Sequence, residues 1–140
     1  MKNMYEVFDE FEAAMSKKAK MKVIENNLSK TLHDVLLLTF HPGYQWKVDG
    51  IPENYKIPDT KPGISHCQIG TELRKLYLFR AGDPKAESLT PRKRNELLLQ
   101  LLESLEPREA EVVAGIFRKD QGVYGLTYDF VKEAFPNMLP

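Results

Sequence analysis

Apolar residues recur at intervals of three and four along most of this chain, and this spacing constrains its fold more than any other feature. Residues i, i+3, i+4 and i+7 share one face of an α-helix, so the pattern predicts amphipathic helices. The repeating positions are Met4, Phe8, Phe11, Met15, Leu28, Leu32, Val35, Leu36, Thr39, Leu73, Leu76, Tyr77, Phe79, Leu97, Leu98, Leu101, Leu102, Leu105, Val112, Val113, Ile116 and Phe117. We therefore predict an all-α fold: one domain, residues 1–140, with about six helices.

Polar residues suited to helix capping stand where several of these helices would begin. A serine or threonine at the N-cap accepts a hydrogen bond from a backbone amide of the first turn. The predicted caps are Ser16, Thr71, Thr90 and Thr127. Residues 83–89 are expected to form a linker before the helix that Thr90 and Pro91 open. The residues expected in the core are Phe8, Phe11, Leu32, Leu36, Leu76, Leu98, Leu102, Val113, Ile116 and Phe117.

Prolines and glycines interrupt the helical pattern between His41 and Gly70. Eight of them occur there, at positions 42, 43, 50, 52, 58, 62, 63 and 70. This density predicts one long irregular insertion, with a short extended piece at residues 44–48. A long loop within a compact domain is usually functional or held in place by aromatic side chains, and Tyr44, Trp46 and Tyr55 are available for that role.

The charge balance and the cysteine content limit which partners and which cellular compartment we expect for the protein. Twenty basic residues balance twenty acidic ones, so the net charge gives no reason to expect nucleic-acid binding, although a neutral chain can still carry a basic face. The single cysteine, Cys67, rules out an internal disulfide. No apolar run approaches the roughly 20 residues of a membrane helix, and the acidic N-terminus does not resemble a signal peptide. We expect an intracellular protein without membrane contact.

The motifs that suggest catalysis or metal binding are weak. Residues 47–50 spell K-x-D-G, the pattern in which ligases and capping enzymes attach AMP to lysine, but the helical residues that follow cannot supply the required nucleotide-binding domain. A turn is the better interpretation. His33, His41, His66 and Cys67 show no zinc-ligand spacing. We therefore predict no enzymatic activity, no cofactor and no metal.

Two basic clusters and a glycine-containing turn are candidates for phosphate contacts. Lys17, Lys18 and Lys20 belong to the first cluster, for which a solvated helix face is the simpler interpretation. Arg92 and Arg94 belong to the second, in a first helical turn where cations oppose the macrodipole, so that an external phosphate would explain them. The turn, residues 122–125, precedes the helix start at Thr127 and could offer backbone amides to phosphate, or could be an ordinary glycine turn.

The last third of the chain resembles the helical DNA-binding domain that precedes the catalytic core of phage-type ATP-dependent DNA ligases. The resemblance is strongest over residues 109–140, where the charged run Arg118-Lys119-Asp120 leads to Gly125. The ending Phe135-Pro136-Asn137-Met138-Leu139-Pro140 is similar to the segment that leads into the nucleotidyltransferase domain. Residues 13–18 and 38–46 extend the resemblance more weakly. The chain therefore looks like the DNA-gripping part of a ligase without the part that does the chemistry.

This resemblance implies a function and a set of contact residues. Such domains grip the backbone of duplex DNA without reading sequence, so we expect a non-catalytic DNA-binding protein of phage type, acting in replication, repair or recombination. In that case its compartment would be the cytoplasm of a bacterial host. The alternative is an adaptor that kept the fold but docks on a phage or host protein, such as a sliding clamp, a polymerase, a transcription protein or a structural component. The candidate DNA-binding residues are Lys17, Lys18, Lys20, Arg92, Arg94, Arg118, Lys119, Gly125 and Thr127.

Overall fold

The described part of the protein is built from helices. The computed structural model describes residues 3–48 and 69–140. Its α-helices are α1 Met4–Ala13, α2 Lys17–Asn26, α3 Lys30–Phe40, α4 Ile69–Glu72, α5 Pro84–Ser88, α6 Pro91–Glu103, α7 Pro107–Arg118 and α8 Tyr128–Ala134, with a 3-10 helix at Leu73–Phe79. The only β-pairing among these residues is an isolated bridge between Trp46 and Arg80. The all-α prediction is confirmed for this part of the chain.

Side-chain caps explain where most of these helices begin. The predicted caps Ser16, Thr90 and Thr127 are confirmed, since each accepts a hydrogen bond from the backbone amide three residues later. Ser29 caps α3 in the same way. Thr71 does not cap a helix, because it lies inside the short helix α4.

Three further details expected from the sequence differ in the structure. Residues 83–89 are not a plain linker: Asp83 caps α5, with Pro84 at its first position. The separate helices α4 and α5 raise the number above the expected six. Met15 does not continue the apolar face of α1, because the helix ends at Ala13 and Ala14 is already extended, which leaves Met15 96% exposed.

The core forms around α7, which is buried on nearly all sides. It packs against α1, α3 and α6, and residues 112–117 are all buried. The wide apolar face of α7 has to be covered by neighbouring helices. The ten residues predicted for the core are all buried, as the helical spacing indicated.

An aromatic cluster joins the end of α3 to the 3-10 helix and α7. The Trp46 ring stacks near Tyr44 and meets Phe117 edge-on, with centroids 5.4 Å apart in the second pair. Backbone hydrogen bonds from Lys47 N–H to the Phe79 carbonyl (2.6 Å) and from Ala81 N–H to the Gln45 carbonyl (2.8 Å) support the expected extended piece. Residues 49–68, with Tyr55 and most of the predicted insertion, lie outside the described residues.

Candidate functional site: the α1–α2 turn and the tip

Residues of α2 and the turn at 122–127, here called the tip, meet on one side of the molecule. Cε of Lys20 lies 3.2 Å from the position that a Cβ atom of Gly125 would occupy. Lys17 forms an ion pair with Glu133 of α8 at 2.5 Å, and Thr127 caps that same helix. Lys18 is exposed and follows Lys17 in the first turn of α2. Four of the predicted DNA-binding residues, Lys17, Lys20, Gly125 and Thr127, are therefore brought together.

The backbone of the tip is held by local hydrogen bonds. Asp120 Oδ1 accepts from the Gly122 N–H at 2.9 Å, and the Val123 carbonyl accepts from Leu126 N–H at 3.0 Å. Gly122 and Gly125 have φ angles of +68° and +85°, in the left-handed region that favours glycine. The tip therefore adopts one defined turn conformation.

Lys20 has a structural role in this arrangement. Its ammonium is buried, donates to the Phe11 carbonyl at 2.8 Å and lies 4.7 Å from the centroid of the Phe11 ring. Both contacts tie α2 to the end of α1. Because these contacts use its charge inside the protein, Lys20 supports the tip and is poorly available to an external phosphate.

Lys119 also turns inward. It ends α7 with φ of +61°, and its ammonium donates to the carbonyls of His41 at 2.7 Å and Leu38 at 3.2 Å. Burial lowers the pKa of Lys119 to about 8. It therefore caps the C-terminal end of α3, while its neighbour Arg118 is exposed and pairs with Glu111 at 3.6 Å.

Arg92 and Arg94 belong to another region, the corner between α5 and α6. The Arg94 guanidinium is buried and donates to the carbonyls of Ala86 (2.9 Å) and Leu89 (3.0 Å). Arg92 is exposed and lies 3.5 Å from Glu96. Both cations therefore have partners within the protein that account for their unfavourable position near a helix N-terminus. An external phosphate is not needed to explain them.

A groove of about 470 Å³ lies beside the tip, between α1 and α7. Its charged lining contains four carboxylates and two arginines: Asp9, Glu12, Glu111, Asp120, Arg108 and Arg118. Arg108 donates two hydrogen bonds of 2.7 Å to Asp9 across the groove, and these hold the pKa of the Asp9 carboxyl below its ordinary value. The net acidic lining repels phosphate, so a DNA contact would lie on the α2 side of the tip.

A buried carboxylate, Glu109, was missed by the sequence analysis. Burial raises its pKa to about 7, although the facing amides of Met4 and Tyr5 partly oppose the shift. Neither of its oxygens has a hydrogen-bond partner of normal geometry. The sequence did contain a sign of this burial, since Glu109 lies one helical turn from Val112 and Val113 on the apolar face of the helix. A glutamate in a first turn is, however, usually exposed, because it interacts favourably with the helix N-terminus.

Gln121 and Tyr124 were also not among the residues predicted from the sequence. The Gln121 amide donates to Thr39 Oγ1 and to the Val112 carbonyl, both at 3.0 Å. It occupies the space left by Gly115, where a Cβ would lie 2.5 Å from its Oε1. No sequence pattern predicts this long-range contact. Tyr124 is 81% exposed, and its position between two glycines was the available clue.

The residues considered for catalysis and metal binding have ordinary surroundings where the structure describes them. Lys47 pairs with Glu87, and Asp49 and Gly50 of the K-x-D-G motif lie outside the described residues. Within residues 3–48 and 69–140, no three His, Cys, Asp or Glu side chains are grouped to hold a metal ion. In the same ranges no helix has the length and apolar character that a membrane crossing requires. His66 and Cys67 are outside these ranges.

Comparison with known proteins assigns the chain to a family. No curated protein shows significant similarity to it. A family described as a family of unknown function (DUF6433) matches residues 7–123, which run from within α1 through α7 to the first two residues of the tip. The match covers most of the 140 residues. The chain therefore belongs to the DUF6433 family.

Proposed function

We propose that this protein is a non-catalytic, sequence-independent binder of duplex DNA, of phage type, that contacts the phosphate backbone with the α2 side of its tip. The observation that carries the proposal is the ion pair of Lys17 with Glu133, which sets the exposed start of α2 beside α8 and the tip. Lys17 and Lys18 are both exposed there. Such an arrangement presents two neighbouring ammonium groups to solvent, and contacts from lysines to phosphates position a protein on DNA without reading bases.

The expected contribution of each predicted cation follows from its partners. Lys17 and Lys18 are exposed at the proposed surface, whereas Lys20, Arg94 and Lys119 donate to the protein's own carbonyls. Since few cations remain for phosphate, affinity from counterion release would be modest and strongly reduced by salt.

A salt-dependent titration of labelled duplex, intact and nicked, tests the proposal. Replacing Lys18 or Lys17 with alanine should lower the slope of log K against log salt by about one unit, equally for every sequence. Lys30→Ala is the matched control, because Lys30 is an exposed lysine that also pairs with a carboxylate, Asp34 at 2.7 Å. It lines a cavity with Asn3, at the opposite end of α1 from Lys17, and should leave the slope unchanged. Absence of duplex binding at low salt would refute the proposal.

The second candidate function, a protein adaptor, is favoured by the groove between α1 and α7. Its carboxylates Asp9, Glu12, Glu111 and Asp120 suit a partner segment that carries basic side chains. A partner bound there would be displaced by Glu111→Lys, a substitution at an exposed position of α7 that leaves the hydrogen bonds of the tip in place. The added positive charge would not weaken duplex binding if the first proposal holds, so the two functions predict different results.

A further inference from the structure

Tyr124 presents its ring to solvent from the centre of the tip. It is 81% exposed, more than any other aromatic residue in the described part of the chain. Aromatic side chains bury a large apolar surface, so a ring held in solvent loses stabilisation that a binding partner can restore.

The exposure does not result from a loose turn. On either side of Tyr124, Val123 packs against the core and Leu126 is buried. Its own N–H lies 3.4 Å from Glu12 Oε2. With the backbone anchored on both sides and its amide already partnered, the ring is the part of Tyr124 available for contact, and it is presented in a preorganised position.

The surroundings of the ring suit nucleic acid. The Lys20 ammonium, although it is bonded within the protein, lies 5.9 Å from the Tyr124 ring centroid and so places the ring beside α2. Met15, which is 96% exposed, directly precedes the cap of the helix that carries Lys17 and Lys18. An exposed ring beside lysines is the combination that single-stranded nucleic-acid sites use, because every base has a face on which an aromatic ring can stack. In intact duplex both faces of an internal base are covered by its neighbours.

Building on the proposed function, we propose that Tyr124 stacks on a base exposed at an interruption of the duplex, so that the protein prefers gapped DNA to intact DNA. The lysines would supply backbone contacts common to both substrates. The ring would add a contact that only the gapped substrate can make.

The test measures fluorescence anisotropy with two labelled duplexes of one sequence, one intact and one with a short single-stranded gap. The wild-type protein should bind the gapped duplex about fivefold or more tightly, the lower end of what one stacked base contributes. Tyr124→Ala should abolish that preference and keep the salt slope, while Tyr124→Phe and Tyr124→Trp should retain the preference. Tyr77→Ala is the matched control, because Tyr77 is also exposed and has a lysine ammonium, that of Lys85, 5.7 Å from its ring centroid.

Each outcome decides between the two proposals. Equal binding of intact and gapped duplex by the wild type, or a preference that survives in Tyr124→Ala, overturns the stacking role and leaves duplex binding in place. Loss of the preference in Tyr77→Ala to the same extent also overturns it. If neither substrate binds at low salt, both proposals fail.

Discussion

Lys20 and Gly125 fit together because the glycine has no side chain. A Cβ atom at residue 125 would lie 3.2 Å from Cε and 3.4 Å from Cδ of Lys20. The ammonium of Lys20 donates a hydrogen bond to the Phe11 carbonyl. One contact thus joins the end of α1, the first turns of α2 and the tip. Because Lys20 is buried and hydrogen-bonded, it has little freedom to move away.

Gly125→Ala is expected to destabilise the protein through both backbone and packing. The left-handed φ of +85° strains an L-residue, at a cost of about 1–2 kcal/mol. The new methyl group also presses on Lys20. The control is Gly82→Ala, since Gly82 has φ of +90° and no atom within 4 Å of its Cβ position. Urea unfolding should show the larger loss of unfolding free energy for Gly125→Ala. Equal losses would mean that the Lys20 side chain moves aside without cost.

Arg94→Ala is expected to lower the free energy of unfolding by about 1–3 kcal/mol, because it leaves the carbonyls of Ala86 and Leu89 without their donor. Arg92→Ala, two residues earlier, removes only an exposed side chain near Glu96 and should change stability by less than about 0.5 kcal/mol. Urea denaturation of both variants measures the difference. A comparable small effect at both positions would show that Arg94 is not a structural donor.

Stability should depend on pH through Glu109. Burial raises its pKa from the ordinary 4.5 to about 7, and the neighbouring Glu6 and Glu106 act in the same direction. The folded chain therefore binds a proton more tightly than the unfolded chain. The stability from this group is fully present below pH 4.5 and is lost as pH rises through 7.

Glu109→Gln removes this titration. Comparing the wild type with the variant by urea unfolding, the stability difference should change by about 3 kcal/mol between pH 4.5 and pH 8. The comparison cancels the titration of other groups, such as the Asp9–Arg108 pair. A difference that stays constant across this range would show that folding does not shift the pKa of Glu109.

Lys47 is expected to remain unmodified by nucleotide. Its ammonium pairs with Glu87 of α5. The hydrogen bond from Lys47 lowers the pKa of the Glu87 carboxyl. Incubation with labelled ATP and magnesium should leave the protein unlabelled. An acid-labile adduct that disappears in Lys47→Ala would contradict the proposal that the protein is non-catalytic.

Helix positions and the core could be read from the sequence because their causes are local. A threonine at position 90 followed by proline favours the start of α6 through contacts within its own first turn, and the apolar stripe on α7 must be covered. Met15 shows where this reasoning fails. It has the right spacing for the stripe of α1, but the helix ends before it, because the cap at Ser16 starts a new helix in a different direction.

The candidate site depended on tertiary structure for a different reason. A lysine or arginine has the same sequence signature whether its charge faces solvent or a buried carbonyl, and the carbonyls that hold Lys119 come from residues 38 and 41, far away in the chain. The sequence by itself determined the helical fold, most of the helix caps and the apolar core, since these follow from short-range spacing. Only the tertiary structure decided which cations remain exposed and which ring the tip presents to solvent, because hydrogen-bond partners and burial are set by distant segments that pack together.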